Sequence, residues 1–267
     1  MLVVKVGGSE GVNLDTFAAD AAEVIRSGQR VVIVHGASHA TTTLAAALGH
    51  PAQFITSPSG HSSRRTDRRT LEIFQLACRG VMNQQLVEKL LRNGVNAVGI
   101  SGLDARLWEG KRKDAIRAVE DGVVRIIRDD YSGTVERVNT KLITTLLDAG
   151  FTPVISPPAI STEGDPINVD ADRAAAQTAA ALKAETLLLL SNVMGLLRSF
   201  PDEATLISRI AKHEIDGAVQ LAGGRMKNKV MAAGEAVRAG VARAVIADAR
   251  AASPIRRALA GEGTVIS

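Results

Sequence analysis

Short aliphatic runs that end in glycine or a small polar residue recur along the chain, and they constrain its fold more than any other feature. The six runs are Leu2–Val6, Arg30–Val34, Ala97–Ile100, Pro153–Ser156, Thr186–Leu190 and Ala244–Ala247. Such runs are typical of parallel strands that are buried on both faces. Apolar residues at three- and four-residue spacing predict helices between them, over Leu14–Ser27, Arg69–Asn93, Thr140–Ala149 and Lys227–Ala239. This alternation predicts a layered α/β fold with helices on both faces of a sheet.

Two segments interrupt the alternation. Asp114–Glu120 and Val123–Arg128, joined by Asp121-Gly122, predict a β-hairpin with a tight turn. The polar stretch Ser57–Arg69 predicts an exposed loop that enters a helix. A boundary between two lobes is expected near Ser161–Pro166, where Ser, Thr, Gly and Pro cluster.

The composition argues against several classes of protein. Aromatic residues make up 3% of the chain, so the stacking platforms of single-strand nucleic-acid binders are not expected. Cys78 is the single cysteine, which excludes a disulfide or a thiolate zinc site within one chain and indicates a reducing, cytoplasmic compartment. The net charge of +4 suits phosphate substrates or an acidic partner. No run of 18 apolar residues occurs, so we expect no membrane span.

Three glycine-containing turns could bind anions. Lys5 lies inside an aliphatic strand, where a buried ammonium group needs an anion, and the N–H groups of Gly7-Gly8 can approach a phosphate closely. The alternative is a tight turn whose lysine reaches solvent. At the turn His35–Ser38, we favour a hydrogen-bonded core role for the histidine. Gly223–Lys229 opens a helix, and it is either an anion site or a flexible loop with solvated lysines.

Two polar segments remain ambiguous on the residues alone. Asn168, Asp170 and Asp172 would line one wall of an extended segment, but either aspartate could instead cap the helix Arg173–Ala184. No cluster with metal-ligand spacing surrounds them, so we predict no metal held by the protein alone. The arginines of the polar loop predict mostly a solvated face, although one of them could pair with a carboxylate through two hydrogen bonds.

Seven motifs in the same order resemble those of the amino acid kinase family, and within it the acetylglutamate kinase group, over essentially the whole chain. They are Lys5-Val6-Gly7-Gly8, His35-Gly36, Ser63-Arg64-Arg65-Thr66, Ala97–Gly102, Asn168–Asp172, Ser191–Gly195 and Gly224–Lys229. Ala37 departs from the pattern because a second glycine is usual there. Asn192 stands where acetylglutamate kinases often have Asp, and Asp170 where some have Asn.

A finer similarity is to the kinases of lysine biosynthesis, which phosphorylate 2-aminoadipate while a small acidic carrier protein holds its amino group. The shared segments are Gly49-His50-Pro51, Arg64–Glu72, Gly102–Leu107 and Pro254–Leu259.

The resemblance implies a three-layer αβα sandwich with a mostly parallel central sheet. Residues 1–165 would form the lobe for substrate binding and dimerisation, and residues 166–267 the lobe for ATP. Lys5 and Lys229 would stabilise charge on the transferred phosphoryl group, and Asp172 would position both lysines. The implied substrate residues are Gly36, Ala37, Arg64 and Asn168, and the implied nucleotide residues are Gly7, Gly8, Ser191, Asn192 and Gly195.

The expected activity is phosphorylation of the side-chain carboxylate of carrier-bound 2-aminoadipate by ATP and Mg²⁺, in a homodimer. A carboxylate is already ionised at pH 7, so no general base is needed. The alternatives are an N-acetylglutamate kinase of arginine biosynthesis, a bifunctional enzyme, or a silent member that only binds ligands. The lysines and Asp172 argue against the silent member. Phosphorylation of carrier-bound 2-aminoadipate is favoured by basic residues that would dock an acidic carrier: Arg64, Arg65, Arg68, Arg69, Arg106, Lys111, Arg112 and Lys113.

Overall fold

Sixteen strands and nine α-helices are assigned in the computed structural model, which describes residues 1–8, 10–58, 60, 62–120 and 122–267. The strands are β1 (Leu2–Val6), β2 (Val31–His35), β3 (Phe54–Thr56), β4 (Ser62–Arg64), β5 (Ala97–Ser101), β6 (Trp108–Arg112), β7 (Ile116–Glu120), β8 (Val123–Ile127), β9 (Gly133–Val138), β10 (Thr152–Ser156), β11 (Ala159–Ser161), β12 (Pro166–Ile167), β13 (Thr186–Ser191), β14 (Arg209–Ile210), β15 (Arg243–Asp248) and β16 (Thr264–Ile266). The α-helices are α1 (Leu14–Arg26), α2 (Ser38–Ala47), α3 (Arg68–Gln75), α4 (Gln84–Arg92), α5 (Thr140–Asp148), α6 (Ala171–Ala181), α7 (Ile215–Leu221), α8 (Gly224–Arg238) and α9 (Pro254–Leu259).

The central sheet has eight strands in the order β14-β16-β15-β13-β1-β2-β10-β5. Every neighbouring pair is parallel except β15 and β16, which confirms the predicted, mostly parallel sheet. β1 lies in the middle, between β13 and β2, and Val6 is level with Leu190 and His35. The carboxyl ends of these three strands therefore meet at one edge, where ligands bind in open α/β sheets.

Helices cover both faces because the strands alternate their side chains between two cores. On one face, Val3, Val32 and Leu187 pack with α6 and α8. On the other face, Val4 and Leu188 pack with α1, α4 and α9. This arrangement confirms the three-layer α/β/α fold.

Two four-stranded sheets lie outside the central one, in the orders β12-β11-β6-β9 and β4-β3-β7-β8. The predicted hairpin is confirmed as β7 and β8, which pair antiparallel. Asp121 of its turn lies outside the described residues. The prediction of a loop over Ser57–Arg69 is wrong for Ser62–Arg64, because these residues pair as β4 with β3. Their side chains are polar and largely exposed, so the segment carries no aliphatic run that would predict a strand.

The helix predicted over Arg69–Asn93 is interrupted by eight residues of π-helix, Leu76–Asn83, between α3 and α4. Short 3₁₀ turns occur at Asp104–Arg106, Glu203–Thr205 and Lys212–Glu214. No helix in the described ranges is long and apolar enough to cross a membrane.

Candidate active site

Three charged side chains meet between the central sheet and α6. Lys5 lies on the α6 side of β1, because it follows Val3 by two residues and Val3 packs in the core on that side. Lys5 Nζ is 2.7 Å from Asp172 Oδ1. Lys229, in the second turn of α8, places its Nζ 2.7 Å from Asp172 Oδ2. The three residues predicted to be catalytic are therefore brought together, with one carboxylate shared by two lysines.

The two aspartates that the sequence could not distinguish have different partners. Asp170 is the N-cap of α6, and its Oδ1 accepts from the backbone N–H groups of Asp172 and Arg173 at 2.9 and 3.0 Å. Its Oδ2 accepts from Asn228 Nδ2 at 3.1 Å. Because Asp170 caps the helix, the carboxylate of Asp172 is available to the lysines. Of the two alternatives, the helix cap is therefore confirmed for Asp170, and α6 starts at Ala171.

Burial makes this charge cluster unusual. Lys5, Asp172 and Lys229 are 6%, 6% and 8% exposed. Burial lowers the pKa of Lys5 from its ordinary value, Asp172 acts in the opposite direction, and Lys229 lowers this pKa further. Burial acts to raise the pKa of Asp172, but Lys229 and Lys5 together hold it well below its usual range. Two ammonium groups against one carboxylate leave a net positive charge, which suits an incoming anion.

The turns after β1 and β2 touch each other beside this cluster. A Cβ on Gly8 would lie 2.3 Å from the carbonyl oxygen of Gly36 and 2.5 Å from the N atom of Ala37, so only glycine fits without a backbone shift. The N–H of Gly7 already donates to Leu190 O at 3.0 Å. Contrary to the prediction, the N–H of Gly7 is therefore not free to donate to a phosphate, although the absence of a side chain still allows a ligand to approach the backbone closely. The N–H of Gly8 has no acceptor among the described residues.

The predicted nucleotide residues are divided between two places. Ser191 ends β13 directly beside Gly7, because a Cβ on Gly7 would lie 3.8 Å from Ser191 Cα. Asn192 follows it and is exposed. Gly195 lies further on, where a Cβ would come within 2.6 Å of Thr264 Oγ1, so close packing against β16 requires a glycine there. Gly7, Gly8 and Ser191 thus share the edge of the sheet, whereas Gly195 packs against another strand.

The start of α8 is a second anion-binding feature. Its N-cap, Gly223, has no side chain to accept from the first turn of the helix. Gly224 adopts a φ of +50°, a conformation that favours glycine. The uncapped N–H groups and the helix dipole favour a negative charge at this end.

Arg64 ends β4 and lies next to α2. Its Nη2 donates to Ser38 O at 3.1 Å and to Thr42 Oγ1 at 3.0 Å, which places it against the turn that contains Gly36 and Ala37. Its Nη1 is buried and has no partner in the described part of the chain. Burial lowers the pKa of Arg64, and the nearby Arg225 lowers it further. An unpaired buried guanidinium nitrogen is suited to an anionic ligand.

Asn168 is tied to the Arg64 segment rather than to Asp172. Its Nδ2 donates to Thr66 Oγ1 at 2.9 Å. The Thr66 hydroxyl in turn donates to the carbonyl oxygen of Arg64 at 3.2 Å. Sequence reasoning missed Thr66, because a link between residues 102 positions apart has no local sequence signal.

His35 has the core role that was favoured. It is fully buried, and burial lowers its pKa to about 4, so it is neutral at pH 7. Its Nε2 accepts from Asn83 Nδ2 at 3.0 Å, and its Nδ1 lies 3.3 Å from Gly36 O, where the proton belongs in this tautomer. Asn83 also donates to Val154 O at 3.0 Å. The histidine therefore joins the π-helical segment to β2 through Asn83.

Several of the basic residues predicted to dock a partner are engaged within the chain. Arg65 pairs with Asp129 at 2.8 Å. Arg68 pairs with Glu72 at 3.3 Å. Arg112 stacks on the ring of Tyr131 at 3.8 Å from its centroid. The carboxylates of Asp129 and Glu72 offset the charge of Arg65 and Arg68, whereas the Tyr131 ring orients Arg112 without neutralising it.

No group of three or more His, Cys, Asp and Glu side chains that could hold a metal occurs among the described residues. The residues present fit a Mg²⁺ that is held mainly by phosphate oxygens, as is usual for this ion. They do not form a metal cage of their own.

Comparison with known proteins gives matches over the whole chain. The model of the amino acid kinase family matches residues 1–248. A relative from Deinococcus radiodurans, named LysW-aminoadipate kinase, is 59% identical over 267 residues, covering 100% of this chain and 91% of the relative. A relative of the same name from Thermus thermophilus is 53% identical over 268 residues, covering 100% of both.

Among solved structures, N-acetylglutamate synthase from Neisseria gonorrhoeae, complexed with coenzyme A and N-acetyl-glutamate, superposes with a TM-score of 0.79 at 27% identity. The match covers 100% of this chain and 59% of that longer chain. This chain therefore corresponds to part of the synthase.

Proposed function

The chain belongs to the amino acid kinase family, and from this premise we propose that it transfers the γ-phosphoryl group of ATP to the side-chain carboxylate of 2-aminoadipate carried on LysW. The product is an acyl phosphate, and the process is lysine biosynthesis. Full-length identity above one half to two kinases of that name supports the substrate. The observation that carries the chemistry is the buried pair of lysines on Asp172.

The two lysines are proposed to act on the phosphoryl group during transfer. The nucleophile is a carboxylate and is ionised at neutral pH, so no residue has to remove a proton from it. The enzyme must instead bring two anions together and stabilise charge on the phosphoryl oxygens. Lys5 and Lys229 approach from opposite sides of Asp172, and their ammonium groups are already desolvated, which strengthens their effect on developing charge. Asp172 holds both in place.

The amino-acid substrate is assigned to the side of the site nearer α2. We propose that the free Nη1 of Arg64 binds a carboxylate of the substrate and that Asn168 contributes a polar contact. Gly36 and Ala37 would line the site, because the turn that contains them lies against Arg64. α2 has no side-chain cap, although the N–H of His39 in its first turn donates to Gly8 O at 3.0 Å. This assignment gives residues 1–165 most of the substrate-binding role, and Asn168 is the contribution of residues 166–267.

ATP is assigned to the other side of β1, mostly on residues 166–267. Gly8 would offer its N–H to phosphate, and Gly7, Ser191 and Asn192 would line the same edge of the sheet. The uncapped start of α8 is suited to the phosphates as well. Gly195 would shape the nucleotide site indirectly, by letting its loop pack against β16. Bound Mg²⁺ would supply charge neutralisation on the phosphates.

The proposal extends to the partner and the setting of the reaction. LysW would be the protein partner that presents the substrate, and the enzyme would be a homodimer that uses residues 1–165 for dimerisation. A cytoplasmic location agrees with the buried, unpaired Cys78. Sedimentation of the purified protein tests the dimer independently of the activity.

Phosphorylation assays with two substrates test the function. ATP turnover should require LysW-bound aminoadipate and should be slow with free N-acetylglutamate. The matched control is Lys89→Ala, which removes a lysine of α4 that pairs with Asp15 on the other face of the central sheet and which should remain active. Efficient turnover of free N-acetylglutamate, unaffected by the carrier, would replace this proposal with an arginine-pathway kinase.

A further inference from the structure

Asp130 is a buried carboxylate with no part in the proposed chemistry. It is 1% exposed. Its Oδ2 accepts from the backbone N–H of Thr66 at 2.8 Å, and its Oδ1 accepts from the N–H of Ser132 at 2.7 Å. A buried carboxylate is costly unless hydrogen bonds satisfy it, so these two bonds fix the backbone on both sides.

The residue that Asp130 fixes connects two predicted substrate residues. Thr66 is fully buried. Its hydroxyl donates to the carbonyl oxygen of Arg64 at 3.2 Å and accepts from Asn168 Nδ2 at 2.9 Å. One hydroxyl group therefore bridges the main chain of Arg64 and the side chain of Asn168.

Backbone hydrogen bonds hold the same three segments together without help from these side chains. The N–H of Tyr131 donates to Thr66 O at 2.8 Å, and the N–H of Asn168 donates to Tyr131 O at 2.8 Å. The N–H of Gly133 donates to Asn168 O at 2.9 Å. These backbone hydrogen bonds maintain the local fold. The hydroxyl of Thr66 is therefore needed to orient the side chain of Asn168, and not to maintain the backbone conformation.

We propose that Thr66, held by Asp130, is a positioning residue that sets the place of the Asn168 amide relative to Arg64 and thereby the binding of the amino-acid substrate. The inference rests on the proposed function, which assigns Arg64 and Asn168 to the substrate. Thr66 acts through its neighbours, because its hydroxyl is already occupied by Arg64 and Asn168. ATP is assigned to the other side of β1, so its binding should not change.

The test compares Thr66→Val with Thr66→Ser in steady-state kinetics, varying each substrate in turn. Valine has nearly the shape of threonine but no hydroxyl group, whereas serine keeps the hydroxyl. Thr66→Val should raise the KM for LysW-aminoadipate about tenfold, the effect of one lost hydrogen bond, with kcat and the KM for ATP within about twofold of the wild type. Thr66→Ser should behave like the wild type.

Two further variants sharpen the test. Asp130→Asn should raise the same KM, because its NH2 group, a donor, would replace one of the two oxygens that accept from Thr66 and Ser132. Asp148→Asn is the matched control, since it removes an exposed carboxylate that pairs with Arg30 at the amino ends of the strands, away from the site, and it should leave the KM unchanged. All kinetics are measured at a temperature where every variant is folded by circular dichroism, and the Thr66 pair decides the matter if Asp130→Asn does not fold.

The outcomes separate this inference from the proposed function. An unchanged KM in Thr66→Val, an equal loss in Thr66→Ser, or a parallel loss of kcat and ATP affinity overturns the positioning role while the wild type remains active. A wild-type enzyme that does not use carrier-borne aminoadipate refutes the proposed function, and this inference with it, before any variant is compared.

Discussion

Replacing Asp172 by asparagine removes the carboxylate that two buried ammonium groups share and keeps almost the same side-chain shape. Each lysine Nζ lies 2.7 Å from one of its oxygens. Removing one partner of a buried ion pair typically costs about 3–5 kcal/mol, because the other charge is left uncompensated. Here both lysines lose their partner, so we expect Asp172→Asn to lower the free energy of unfolding by at least about 3 kcal/mol at pH 7.

The loss should depend on pH in a direction that the pKa shifts define. The lowered pKa of Asp172 contributes stability above the ordinary value of 3.8, which the wild type loses as the pH falls through the lowered pKa. The pKa of Lys5 is lowered because burial disfavours its charged form, so a charged Lys5 destabilises the folded state. The free energy of unfolding therefore rises with pH between this lowered pKa and 10.5. Without Asp172, the pKa of Lys5 falls further, so the variant recovers stability from a lower pH upward.

Urea unfolding of the wild type and the variant at about pH 7 and pH 9 measures both effects. The deficit of the variant should be smaller at the higher pH. Asp170→Asn is the matched control, since asparagine caps a helix as well as aspartate and the loss should stay below about 1 kcal/mol. A loss below about 1 kcal/mol for Asp172→Asn at pH 7, or a deficit that grows with pH, would refute the electrostatic reasoning.

Four further predictions concern activity. Lys5→Ala and Lys229→Ala should each lower kcat about a hundredfold or more while the protein stays folded, because the other lysine still pairs with Asp172; near-normal turnover in either purified variant contradicts the catalytic roles. Arg64→Ala should raise the KM for the amino-acid substrate strongly and leave that for ATP unchanged, which kinetics with each substrate varied will check. Gly8→Ala should weaken the binding of both substrates, since its Cβ would lie 2.3 Å from Gly36 O. An unchanged affinity for ATP in calorimetric titration would show that the turn tolerates the substitution. Raising salt from about 0.1 M to 1 M shortens the Debye length from about 10 Å to 3 Å and should lower kcat/KM for the carrier-borne substrate but spare kcat; an insensitive kcat/KM argues against electrostatic docking.

The central sheet could be predicted because its strands are buried on both faces and read as continuous aliphatic runs. All six predicted runs occur as strands within one or two residues of the expected bounds. The strands of the two smaller sheets were mostly missed, since sequences such as Ser62–Arg64 are polar and gain their pairing from distant partners. The π-helical segment Leu76–Asn83 was also beyond prediction, because its apolar spacing resembles that of the helices on either side.

The candidate site could be predicted by its charges but not by its connections. Lys5 and Lys229 stood out as lysines in a buried strand and at a glycine-rich helix start. The structure was needed to decide whether Asp170 or Asp172 caps the helix, because an aspartate is equally suited to cap a helix and to pair with a lysine. The roles of Thr66 and Asp130 have no local sequence signal. Thr66 contacts Asn168, 102 positions away, and Asp130 contacts Thr66, 64 positions away. Docking by basic residues stays a prediction, and Arg65 and Arg68 also pair with carboxylates of the chain itself.

The charge cluster contains one lysine more than is needed to pair with its carboxylate. Lys5 lies on β1 and Lys229 on α8, so both can contact Asp172 only when β1, α6 and α8 are packed together. The result is a buried cluster with one more positive than negative charge, which costs folding free energy and which an aliphatic core would avoid. Phosphoryl transfer between two anions supplies the missing negative charge at that place. We infer that the excess lysine is retained for the transition state and tolerated by the fold, so a variant that neutralises either lysine should lose activity without losing stability.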